Sequence, residues 1–257
     1  MLRTVRDLQR YTIHATDGDI GRVHEFYFDD QRWTVRHVVV TIGHLPPRHR
    51  VLIPVAPIAR VDEERRKLHV TLTKAQVAAS PTIDTEKPVS RQHEGKLYWY
   101  YGFAGAALPQ ELRGASGDPH LRRTREVLRY CVHGPDDRMG DVHDFLVDDG
   151  SWSIRYMVVD VRDWWHGKQA LVPPSSIVYI SWEGAAVHVD VSRANVRNAP
   201  EYDPRGPVDP DYETRLHDYY GRAKHQEGGA EQPGGLRSGT VSGRGEARHG
   251  RAEPEES

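Results

Sequence analysis

The chain has 257 residues, with 35 Lys plus Arg against 37 Asp plus Glu and a hydrophobic share of 37 %. This near balance argues against a protein that coats nucleic acid, and no direct nucleic-acid binding is expected. A single cysteine, Cys131, excludes an internal disulfide framework and any multi-cysteine metal site. No apolar run approaches the roughly 18 residues a membrane span needs, and Met1–Arg10 lacks a signal-peptide core. A chain that is not membrane-embedded, in the cytoplasm, is the expectation.

In chain order the first signal is Asp17-Gly18, a pair suited to a tight hairpin turn. A strand is expected over Val23–Phe28, then a turn at Asp29-Asp30-Gln31-Arg32, then a β-branched strand over Trp33–Thr41. Val51-Leu52-Ile53 before Pro54 reads as a further strand. Leu68–Leu72 alternates, with Leu68, Val70 and Leu72 on one face. Thr73 has the chemistry of a helix N-cap for a short helix stopped before Pro81.

The same series then repeats. At a constant shift of 119, without a gap, Leu2–Gly102 and Leu121–Gly221 agree at 34 of 101 positions. Gly21-Arg22-Val23-His24-Glu25-Phe26 lies over Gly140-Asp141-Val142-His143-Asp144-Phe145. Asp29, Asp30, Trp33 and Arg36 lie over Asp148, Asp149, Trp152 and Arg155. The chain is a duplication. It divides into a first domain with a Tyr-rich extension (1–102), a linker (103–119), a second domain with its extension (120–221) and a tail (222–257). That tail has six apolar residues in 36, too few to offset the entropy of ordering it, so disorder is expected. Four to six short strands and one short helix per copy predict a mainly β protein made of two tandem small barrels.

The pattern Gly-x-Val-x-Asp/Glu-Phe, then Asp-Asp-x-x-Trp-x-Val/Ile-Arg-x-x-Val-Val, then Leu-Ile/Val-Pro resembles the PRC-barrel domain family, named from the photosynthetic reaction centre H subunit. The resemblance covers about 2–81 and 121–200. Its motif residues are Gly21, Phe26, Asp29, Asp30, Trp33 and Arg36, with Gly140, Phe145, Asp148, Asp149, Trp152 and Arg155. What it implies is a stand-alone double barrel with a binding or assembly role. The chain carries no Walker, Gly-x-Gly-x-x-Gly, Gly-x-Ser-x-Gly or His-Glu-x-x-His motif, so a non-enzymatic protein without a cofactor is expected, one that binds a protein partner or self-assembles as a homodimer. Accessory proteins of photosynthetic electron transfer, ribosome-assembly factors and a histidine-based enzyme are the alternatives.

Candidate chemistry is sparse. His14/His133, His24/His143 and His69/His188 recur in both copies, but on different strands and without metal-ligand spacing, so a structural role is expected. The Asp29-Asp30 and Asp148-Asp149 pairs suit turn chemistry better than paired-carboxylate catalysis, because neighbours on a strand point to opposite faces. Arg36 and Arg155 are expected to pair with a turn aspartate and stack on the neighbouring Trp. Asp17-Gly18-Asp19 lacks the downstream Glu of a calcium loop. The Tyr-rich ends Leu97–Phe103 and Asp218–Gly221 are expected to pack within the molecule or at a dimer contact. Trp164-Trp165 is the candidate partner contact.

Overall fold

A computed structural model describes residues 1–43, 49–80, 120–161 and 168–228. The first copy contributes β1 (Leu2–Thr4), α1 (Val5–Leu8), β2 (Thr12–Ala15), β3 (Gly18–Asp29), β4 (Thr34–Ile42), β5 (His49–Pro54), β6 (Ile58–Asp62), β7 (Lys67–Val70) and α2 (Lys74–Ala78). The second contributes β8 (Leu121–Arg123), α3 (Thr124–Val127), β9 (Cys131–His133), β10 (Arg138–Asp148), β11 (Ile154–Val161) and β12 (Gln169–Val172). A 3-10 turn (Pro174–Ser176), β13 (Ile177–Ser181), β14 (Ala186–Val189), α4 (Arg193–Asn198) and α5 (Pro210–Gly228) follow.

The molecule is mainly β, in two seven-stranded sheets. One runs β5-β4-β3-β2-β7-β6 and the other β12-β11-β10-β9-β14-β13. Most neighbours are antiparallel; β2 with β7 and β9 with β14 are parallel.

The seventh strand of each sheet comes from the other copy. β1 pairs with β10, in register Leu2↔Asp148 to Thr4↔Leu146. β8 pairs with β3, in register Leu121↔Asp29 to Arg123↔Tyr27. The two registers are the same under the 119-residue shift, so the exchange is reciprocal. The reason lies in strand length. β3 and β10 run 12 and 11 residues, but β2 and β9 cover only their first halves. The second half of each is a free edge whose N–H and C=O groups need partners. The exchanged strand supplies them, so each sheet is completed by residues from the other copy rather than by its own repeat alone.

Local chemistry places the expected elements well. Thr73 caps α2 in a full capping box with Gln76, and the Ser192 hydroxyl accepts from the Asn195 N–H to start α4. β4 begins one residue later than Trp33. Trp33 (φ 52°) and Trp152 (φ 59°) take the left-handed conformation, which costs a non-glycine residue about 1–2 kcal/mol. Each Trp N–H donates to the carbonyl opening its own turn, Asp29 or Asp148, at 2.8 Å. Each Trp carbonyl accepts from the other copy, Ile154 N–H at 2.7 Å and Val35 N–H at 2.8 Å. Contacts between the copies therefore hold the strained residues.

Helix exceeds one short segment per copy: α1 and α3 are single turns behind the exchanged strands, and α5 has 19 residues. α5 continues to Gly228, past the boundary that composition suggested at Gly221. It buries Leu216 and Tyr220 against the second sheet, and the Tyr220 hydroxyl donates to the Leu171 carbonyl at 2.8 Å. Tyr219 donates to Asn195 O and Tyr212 to Pro200 O. The extension of the second copy thus folds back on its own sheet. That of the first copy, with the 103–119 linker and the tail beyond 228, lies outside the described residues.

Candidate functional site

Several of the residues that repeat between the copies, among them Phe26, Trp33 and their counterparts, converge on the seam joining them, with Phe28 beside them. Phe28 lies 5.7 Å from Phe145, Trp33 6.3 Å from Phe145, and Phe26 6.1 Å from Trp152, measured between ring centroids. Phe26, Phe28 and Phe145 are fully buried, and one continuous apolar cluster runs through both copies. A short antiparallel bridge, Thr34 to Ser153, closes the seam where the two turns meet.

The acidic pairs divide their work by alternation. The first of each pair shapes the turn. Asp29 Oδ1 accepts the Gln31 and Arg32 N–H groups at 2.9 Å, and Asp148 Oδ1 accepts those of Gly150 and Ser151. The second reaches across to the exchanged strand. Asp30 meets His120 Nδ1 at 2.9 Å and Arg122 Nε at 3.3 Å. Asp149 meets the Met1 ammonium at 2.7 Å and Arg3 Nε at 2.6 Å. Turn chemistry therefore accounts for the first of each pair, with Asp148 also 3.5 Å from the Met1 ammonium, and a clamp on the other copy accounts for the second. Arg36 lies 3.6 Å from Asp29, as expected. Arg155 instead meets Glu213 of α5 at 3.2 Å, because the second copy places that helix beside it. Arg122 lies over the Trp182 indole, at 3.8 Å to the ring centroid.

Gly21 and Gly140 sit where β3 and β10 pass closely under β4 and β11. A Cβ at Gly21 would stand 2.5 Å from the Thr41 carbonyl, and one at Gly140 2.0 Å from that of Asp160. Their repetition reflects close backbone approach rather than turn conformation.

The histidines fall into pairs that the spacing concealed. His14 and His69 are in register on β2 and β7, with ring centroids 4.8 Å apart. His133 and His188 repeat this on β9 and β14 at 5.5 Å, and Tyr179 stacks on His188 at 4.3 Å. In the first copy His14 Nδ1 is 2.5 Å from Asp19, which also accepts from Lys67. These hydrogen bonds hold the Asp19 carboxyl below its usual range. Burial, then the Arg60 charge, lowers the His69 pKa. Arg138 replaces Asp19 in the second copy and binds Asp141 instead. Among the described residues no three His, Cys, Asp or Glu side chains group as a metal site requires. Burial, followed by the Arg50 and Arg125 charges, pushes His24 down to about 4.

Two buried carboxyls escaped the sequence reading, Glu25 and its counterpart Asp144, exposed by 2 % and 3 %. Desolvation raises both, Asp144 to about 6. Asp144 accepts the Phe145 N–H at 2.8 Å and the Arg6 N–H at 3.3 Å, so it caps the exchanged helix α1 from the other copy. The signal was an acidic residue directly before Phe in an otherwise apolar strand, at the same place in both copies.

Trp164 and Trp165 lie outside the described residues. Among the described ones, Val178 and Tyr179 on β13 are large apolar side chains left 63 % and 54 % exposed, at the end of the second sheet. No helix of the described residues is long and apolar enough to cross a membrane. The chain matches no protein-family model and no curated protein.

Proposed function

We propose that the chain is a non-enzymatic interaction protein of the PRC-barrel type, acting as a cytoplasmic scaffold for a protein partner. The observation that supports this reading is the reciprocal exchange of β1 and β8, which locks two equivalent modules into one body. A body of this kind presents each surface twice in fixed orientation. Two weak contacts made from it reinforce each other, because the first raises the effective concentration of the second. The recurrent residues support the same reading, since Phe26, Trp33, Asp30 and their counterparts are spent on the seam itself.

The test is affinity capture of the tagged full chain from its host in mild detergent, read by mass spectrometry on membrane, ribosomal and soluble fractions separately. One partner recovered in near-stoichiometric amount, and binding again as a purified protein, is the expected result. Recovery of the chain alone from all three fractions would overturn the scaffold reading.

A further inference from the structure

The geometry points to an anion-binding cleft for compact oligophosphates, built from Arg6, Arg10, Arg125 and Arg129. The cleft has a volume of about 750 Å³ and is also lined by His24, Gln9, Val23 and Leu128. The four arginines are two equivalent pairs, since Arg6 and Arg125, like Arg10 and Arg129, are related by the 119-residue shift. They come together only because of the strand exchange. β1 carries α1 onto β10 and β8 carries α3 onto β3, which sets the two one-turn helices along one cleft.

All four side chains are exposed. Among the described residues no carboxylate oxygen lies within 4.0 Å of any of their guanidinium nitrogens, whereas Arg3, Arg36, Arg138, Arg155 and Arg193 each have such a partner. Three of the acidic groups nearby are otherwise engaged. Glu126 faces Arg123, Asp144 accepts backbone N–H groups, and Glu25 is buried with its pKa raised. Arg125 Nη1 approaches His24 Nε2 at 3.3 Å, and the Arg125 charge adds to burial in lowering the His24 pKa.

Like charges gathered in a concave site focus the field on an anion. Guanidinium groups match phosphate oxygens in a bidentate fork, as a lysine patch does not. The apolar lining is Val23 and Leu128, and among the described residues no Phe, Tyr or Trp ring lines the cleft as a broad platform for a base. Single-stranded nucleic acid depends on such stacking platforms, so the cleft suits the phosphate chain itself, free or as part of a nucleotide.

Calorimetric titration of the full chain with sodium tripolyphosphate is the test, with sulfate and ATP in parallel. Tripolyphosphate should bind one to one, about tenfold or more tighter than sulfate, and weaken as salt rises. Arg6→Gln and Arg125→Gln should each weaken it about tenfold, and Arg10→Gln repeats the test at a second exposed position. Arg205→Gln, at an exposed arginine outside the cleft, should leave it unchanged. ATP binding as tightly as tripolyphosphate would mark the phosphate chain as the whole ligand, and tighter ATP binding would mark a nucleotide source. Absence of binding, equal weakening by Arg205→Gln, or an oligonucleotide displacing tripolyphosphate at equal phosphate concentration would overturn the inference.

Discussion

Replacing Asp144 by Asn should change how stability depends on pH. Asp144 is 3 % exposed and carries a pKa of about 6 instead of 3.8, mainly because burial disfavours its charge. Between those two values the native state holds a proton that the unfolded state has lost. The sign follows directly: this group imposes no penalty below about pH 4 and its full penalty above about pH 6, so stability falls as pH rises through that window. At about 1.4 kcal/mol per pKa unit the full penalty is about 3 kcal/mol. Asn does not titrate. It also loses one acceptor oxygen toward the Arg6 N–H, an offset of about 1 kcal/mol that does not vary with pH. Glu25 is present in both proteins and cancels. Urea unfolding of both proteins at about pH 4 and about pH 7.5 measures the effect. The variant should gain about 3 kcal/mol on the native protein between those conditions. A stability difference constant to within about 0.5 kcal/mol would refute the assignment of a desolvated, strand-buried carboxyl to this position.

Asp149→Ala should release β1 without unfolding the sheets, because Asp149 holds both the Met1 ammonium and Arg3. Hydrogen exchange should speed up at residues 2–4 and 146–148 and stay unchanged in β4 and β5. Gly140→Ala should destabilise by about 2–3 kcal/mol, as overpacking against backbone does, and by more than Gly21→Ala, since its Cβ would meet a carbonyl at 2.0 Å instead of 2.5 Å. Paired thermal melts rank them. Tyr220→Phe removes the hydrogen bond to Leu171 O while keeping the ring, and should cost about 1 kcal/mol in chemical denaturation.

Part of this molecule is written locally. Thr73 and Ser192 specify where α2 and α4 start because a cap is a bond across three residues. The turns at Asp29 and Asp148 are legible for the same reason, as are strands such as β4, whose β-branched run carries its own signal. The duplication needs only a comparison of the chain with itself. The same reading expected helix to be scarce and missed α5, whose apolar face, including Leu216 and Tyr220, has meaning only against the sheet it covers.

Tertiary structure decided the rest. A three-residue segment such as Leu2–Thr4 has no periodicity to read, and its partner lies more than 140 residues away. Its pairing follows from a free edge that exists only once β10 is longer than β9. The consequences of that exchange were equally hidden: the left-handed Trp33, the second aspartate of each pair acting as a clamp, the His14–His69 contact across parallel strands, and the four arginines in one cleft. Composition, turns, caps and the repeat are properties of neighbours along the chain. Which copy completes which sheet is settled by unpaired backbone groups, and these appear only when the strands have assembled.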